Sequence, residues 1–160
     1  MTEDPQRPAT WCPHVTVAAV VADGDRFLMV EEDIRGVLRY NQPAGHLEPD
    51  ESLAAAAVRE TLEETGWDIE LEHLIGVHQW WSPTHGEHIV RFGFAGRALR
   101  HHPDRPLDAG VHRALWLRRD EIAALGERLR SPLVLHSIDD WLAGQRLPLS
   151  TLRDLLPVRP

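Results

Sequence analysis

One stretch of this sequence constrains the fold more than any other. Ser52–Thr65 is nearly free of helix breakers and is closed by Gly66. Asp50 is placed to cap its start, so the stretch predicts the strongest helix in the chain. At 100° per residue, Val58 and Leu62 fall opposite Glu60, while Glu63 and Glu64 flank it. The expected helix has one apolar face and one face carrying three carboxylates. Like charges at i, i+3 and i+4 repel and weaken a helix. Such a face is either a solvated acidic surface or a seat for a hard cation, and Mg²⁺ is usually held by a few carboxylates plus substrate phosphates.

The flanking pattern predicts strands. His14–Ala22 is rich in Val and Ala, Asp23-Gly24-Asp25 signals a turn, and Arg26–Glu32 reads as the hairpin partner. Asp33–Tyr40 reads as a loop or strand edge. Asp68–Trp81, bent at Gly76, and His88–Leu99 read as an antiparallel pair, with a loop over His101–Gly110 and a short strand at Ala114–Leu117. Arg119–Leu125 predicts a short helix. Ser131-Pro132 is a cap and first-turn pair opening a helix to about Leu142. The expected class is α/β, a mixed β-sheet packed between helices. One domain is expected over residues 13–150, with tails at 1–12 and 151–160.

Composition removes several chemistries. The chain has 160 residues and a formal net charge of −8. All 17 basic residues are arginine, which excludes a Schiff-base lysine and a P-loop lysine. Cys12 is the one cysteine, so there is no internal disulfide or Cys-x-x-Cys pair. No Gly-x-Ser-x-Gly elbow occurs. An acidic chain is not drawn to nucleic acid by its overall field, and no apolar run reaches membrane-spanning length. With no signal-peptide core in Met1–Thr10, the expected location is the cytoplasm. An anionic substrate would need local neutralisation, for which a divalent cation is the obvious agent.

The residues around the helix decide between the two readings of its acidic face. Gly45, Glu51, Arg59-Glu60, Glu63-Glu64 and Gly66 fit G-x₅-E-x₇-R-E-U-x-E-E-x-G-U, where U is bulky and apolar. Seven fixed positions at about 7% each give a chance match on the order of 10⁻⁸ at one start point. Thr61 and Trp67 depart mildly at the U positions. This pattern resembles the box of the Nudix hydrolases. Asn41-Gln42-Pro43-Ala44-Gly45-His46, His78-Gln79-Trp80, Arg91-Phe92 and Arg130-Ser131-Pro132-Leu133-Val134 resemble the phosphatase NudJ branch of that family.

The resemblance implies a Nudix-type α/β/α sandwich with the box as a loop–helix–loop, and hydrolysis of a diphosphate linkage with Mg²⁺ or Mn²⁺. It implies Glu60 and Glu64 as metal ligands and Glu63 as a ligand or water-mediated base. The backbone carbonyl of Gly45 or Ala44 would complete the site. Arg59 would hold the carboxylates, and Glu51 would support it. It also implies nucleoside di- and triphosphates, or a thiamine-precursor pyrimidine diphosphate, as substrates, with orthophosphate released. The partner is then a small molecule, with no nucleic acid or membrane, and the chain is a monomer or homodimer.

Phosphoryl transfer is mainly a problem of charge and position. Arg39 and Arg91 are the candidates to reach phosphate oxygens. Trp80 and Trp81 alternate across a strand, so one enters the core and the other is available to stack on a substrate ring; the family-like string favours Trp80. Glu63, Asp108 and His112 are open candidates for the general base. The rivals are a MutT-like nucleoside triphosphate pyrophosphatase releasing pyrophosphate, and a regulatory Nudix module that binds a nucleotide without turnover.

Overall fold

The computed structural model describes residues 11–156. The expected tails therefore lie in part outside the described residues. Seven strands and three α-helices follow one another as β1 (His14–Asp23), β2 (Arg26–Ile34), β3 (Val37–Asn41), β4 (Ala44–His46), α1 (Leu53–Thr65), β5 (Trp67–Ser82), β6 (Glu87–His101), β7 (Val111–Arg118), α2 (Arg119–Ala124) and α3 (Leu133–Leu142). The strand order is β3-β2-β1-β6-β5, with β4 added to β1 and β7 added to β2. β1 and β6 are parallel, and the other pairs are antiparallel. No helix among the described residues is long and apolar enough to cross a membrane.

Alternation along β1 shows why this is a three-layer sandwich. Val17, Ala19 and Val21 pack on the side of Ala56, Ala57, Leu28 and Phe94. Val20 points the other way, into Phe27, Met29, Ile122, Val134 and Ile138. A strand buried on both faces needs an unbroken apolar run, which is what His14–Ala22 supplies. Each fully buried Val, Leu or Phe contributes about 1.5–3 kcal/mol. Leu149 and Leu152 pack against the α1-side core, and Leu147 pairs with Leu74.

The helix α1 departs from the sequence expectation in which face it buries. The inward face is Ala56, Ala57, Thr61 and Thr65, and it continues into Glu60 and Glu64; Val58 and Leu62 are only half-buried. Alanines let the helix approach the sheet closely. The threonine hydroxyls bond carbonyls one turn back, Thr61 to Ala57 at 2.8 Å and Thr65 to Thr61 at 2.5 Å, so no polar group is stranded. The cap also differs. Ser52 Oγ accepts from the Ala55 amide at 3.0 Å, while Asp50 lies upstream with a positive φ. Gly66 ends the helix in the left-handed region at φ 70°.

Two features of the topology make room for a site. β1 and β2 pair only at their turn, through Ala22–Phe27 and Asp23–Arg26, and β4 occupies the edge of β1 at Thr16–Ala18 instead. A cleft opens where the two halves of the sheet part. The loop after β6 is tied to the end of α1 by His102 N to Gly66 O at 2.8 Å and Asp108 N to Glu63 O at 3.0 Å.

Candidate active site

Arg59 organises one end of this region. Its Nε and Nη2 donate to the two oxygens of Glu51 at 3.0 and 2.7 Å, a bidentate pair. Its Nη1 donates to Glu60 at 2.9 Å and to Glu63 at 3.0 Å, and Nη2 reaches the His46 carbonyl at 3.2 Å. Glu51 also accepts from the Glu48 amide at 2.7 Å, which fixes the entry into α1. One guanidinium thus holds three carboxylates, and Glu51, the first of its partners, drives its pKa well above the ordinary arginine value. Glu51 is correspondingly depressed by Arg59.

Burial pushes Glu60 up, against the pull of Arg59. Glu64 is buried more deeply. It accepts from the Ala44 amide at 2.8 Å, has no cation bonded to it, and is pushed up to about 9 by desolvation. These are environments in which a carboxylate needs a positive charge. Gly45 sits against Glu60 so closely that a Cβ there would overlap its carboxylate. That explains a glycine at this position without any need for unusual backbone.

Carboxylate oxygens of Glu60, Glu63 and Asp108 lie within 4.8 Å of one another. Hard oxygen donors at that spacing suit a divalent cation such as Mg²⁺ or Mn²⁺. Asp108 reaches the cluster through the loop attached to α1. Glu64 is not in this trio and lies beside it, coupled to Glu60, Glu32 and Asp108. His112 is exposed and influences Glu31.

The cleft has a volume of about 1220 Å³ and draws on β1–β6 and the segment before α3. Trp80, Arg91, Arg39, Ala44 and Gly45 all line it. Arg91 is only 6% exposed, and burial lowers its pKa to about 10. Its Nε donates to Thr16 Oγ1 at 3.5 Å and its Nη1 has no partner. Arg39 bonds the Glu127 carbonyl through Nη1. Trp81 does not enter the core as alternation predicts: it is 50% exposed and tilts onto His88 on the opposite face from Trp80. Trp116 and Trp141 pack against the core.

Among histidines near the substrate side, His46 and His85 line the cleft, whereas His78 is bonded to Asp140 of α3 at 2.8 Å. Sequence reasoning gives no site role to Glu32, Asn41 or Arg130 and reads Ser131 as a helix cap; all four line the cleft, and α3 has Pro132 at its N-cap with no side-chain capping bond. The signal was present in the family-like strings that contain Asn41 and Arg130-Ser131, but their side-chain directions depend on distant elements.

A carboxylate cluster held by an arginine, beside a cleft lined by the buried Arg91 on a mixed α/β/α sandwich, fits a phosphate-processing enzyme. The NUDIX domain model matches residues 13–136, so the chain belongs to the Nudix family and is a Nudix hydrolase. It is 45% identical over 142 residues to Phosphatase NudJ of Escherichia coli K12, covering 89% of this chain and 92% of that one. The structure of a NUDIX hydrolase from Nitrosomonas europaea superposes with a TM-score of 0.88 at 46% identity, covering 89% of this chain and 97% of that chain. A bifunctional NMN adenylyltransferase/ADP ribose pyrophosphatase from Francisella tularensis, complexed with AMP and a Mn ion, shares the fold at TM-score 0.65 and 22% identity, over 88% of this chain and 42% of that one.

Proposed function

We propose that this hydrolase is a divalent-cation-dependent phosphatase of small phosphoanhydrides. Its substrates are nucleoside di- and triphosphates, or a pyrimidine diphosphate, and it releases orthophosphate. The observation that carries this reading is the carboxylate cluster of α1 standing at the Ala44–Gly45 edge of a cleft lined by Arg39 and Arg91. The 45% identity to a protein named as a phosphatase supports the same reading.

Glu60, Glu63 and Glu64 would hold the cation together with the Gly45 or Ala44 carbonyl, with Asp108 facing it; Mg²⁺ or Mn²⁺ there would neutralise phosphate oxygens and acidify a water. Arg59 keeps the carboxylates converged against their own repulsion and Glu51 keeps Arg59 in place. Arg91 binds phosphate oxygens and Trp80 stacks on the ring. Asp108 is the better proton acceptor of the three base candidates, because Glu63 already accepts from Arg59 and His112 lies elsewhere. A water oxygen bonds to the terminal phosphorus, and its proton passes to Asp108. The bridging P–O bond breaks and its electron pair leaves with the nucleoside phosphate.

The test is incubation of GTP and GDP with Mg²⁺, followed by ³¹P NMR without added pyrophosphatase. GDP and orthophosphate should appear first from GTP, and GDP should itself be consumed. GMP with pyrophosphate, and no action on GDP, would move the chain to the MutT-like reading. No turnover of either would move it to the binding-module reading.

A further inference from the structure

Within electrostatic reach of Glu64, the cleft holds polar groups that no fold-stabilising contact explains. Arg91 Nη1, Arg130 Nη1, Ser131 Oγ, Glu32 Oε1 and Asn41 Oδ1 are buried and have no hydrogen-bond partner. Buried polar groups are normally paired, and a buried unpaired cation is especially costly. Here two arginines share one pocket, and after burial the charge of Arg130 is the next influence that disfavours the charged form of Arg91. Glu32 and Glu64 are within electrostatic reach, yet neither bonds the free Nη1 atoms.

The chain invests backbone contacts in this arrangement. Arg130 N donates to Tyr40 O at 2.8 Å, and Leu129 bridges Tyr40, so the segment runs beside β3. Gln42 Nε2 donates to the Val134 carbonyl at 2.6 Å, which fixes the start of α3 to the same strand end. Ser131 and Pro132 line the cleft directly before α3, so the positive end of that ten-residue helix faces it too. Arg91 arrives independently from β6, where it stands across from Thr16 of β1.

We propose that Arg91, Arg130 and Ser131 form one receptor for a terminal phosphoryl group, and that this receptor makes the enzyme choose free diphosphate ends over esterified ones. Three separate donors match the three peripheral oxygens of a terminal phosphate. An inner or esterified phosphate offers only two and carries less charge. The ring seat fits this order. Trp80 opposes Ile89, two residues from Arg91 on the same face of β6. That is about 7 Å along the strand, so the ring and the terminal phosphate occupy neighbouring positions.

The assignment rests on the reading that the cleft takes a phosphorylated substrate, and its test is independent of hydrolysis. Inorganic phosphate is titrated by calorimetry into the full chain in EDTA. The wild type should bind. Arg130→Gln and Ser131→Ala should weaken binding, the former at least tenfold, while the surface substitution Arg97→Gln should not. Arg91 is deeply buried, so Arg130 carries the test if Arg91→Gln does not fold; melting curves identify that case. A second arm compares turnover of ADP with ADP-ribose, whose terminal phosphate is esterified. The wild type should favour ADP at least tenfold in kcat/KM, and Arg130→Gln should narrow the ratio. Equal phosphate binding by wild type and Arg130→Gln, or an unchanged substrate ratio, would overturn the receptor. Phosphate binding that depends on Arg130 in a chain that hydrolyses nothing would instead retire the phosphatase reading and leave the receptor standing.

Discussion

The two ends of the cleft satisfy their polar groups in opposite ways. At the α1 end, Arg59 bonds Glu51, Glu60 and Glu63, and backbone amides hold Glu51 and Glu64. At the α3 end, Arg91, Arg130, Ser131, Glu32 and Asn41 each keep an atom with no partner. At the first end the protein's own contacts position the carboxylates, although Glu64 still lacks a cation; at the second, donors and acceptors are left over for a ligand. Preorganised charges and positions are what the chemical step needs, whereas unpaired buried donors are what selectivity needs.

The comparison is broken most severely at the carboxylates. Glu60→Gln or Glu64→Gln should lower kcat by roughly a thousandfold, since several kcal/mol of transition-state stabilisation go with one ligand. The fold should survive, because one of several repelling charges is removed. Steady-state rates alongside circular dichroism check this, and near-normal rates in either variant contradict it. Arg59→Gln should cost less, about 10–100-fold, because it loosens the ligands without removing one. The loss should appear in metal affinity as well as in rate.

Among the substrate-facing residues the effects should be smaller and should fall on KM. Trp80→Ala should raise KM by about tenfold or more, from a stacking contact worth about 1–3 kcal/mol. Trp81→Ala should leave KM nearly unchanged. Reversed results would mean that the ring sits on the outer face of β5.

A separate expected effect is on stability. In metal-free protein the Glu64 carboxyl is raised from 4.5 to about 9. The native state then holds a proton that the unfolded chain has lost between those values. Stability is therefore fully present below about pH 4.5 and falls as pH rises towards about 9. Melting temperature in EDTA should decline across that window, and Glu64→Gln should flatten the decline. A wild-type curve with no slope there contradicts the burial of an unpaired carboxyl.

The two ends also differ in how much of them a sequence can show. Gly45, Glu51, Arg59, Glu60 and Glu63 lie within one loop and helix, so helical periodicity brings the carboxylates together without knowledge of the rest. Periodicity did not show that Glu60 and Glu64 continue the buried face, because that depends on how closely the alanines of α1 approach the sheet. Asp108 was one candidate base among three; two backbone hydrogen bonds from its loop to Gly66 and Glu63 bring it to the cluster. Arg130 and Ser131 reach the cleft only because their segment pairs with Tyr40, a contact ninety residues apart in sequence and invisible to local pattern. Alternation placed Trp80 and Trp81 on opposite faces, but it could not say that Val77, Gln79 and Trp81 line an exposed face of β5. The strand assignments needed less, since buried runs and turn residues are local signals.

The most direct test of the division between the two ends is calorimetric titration of Mn²⁺ into the wild type, Glu60→Gln and Arg130→Gln, with no substrate present. Wild type and Arg130→Gln should bind the ion alike, and Glu60→Gln should bind it at least tenfold more weakly. Equal binding by Glu60→Gln would contradict a carboxylate centre on α1, and weakened binding by Arg130→Gln would contradict the separation of the metal end from the phosphate end.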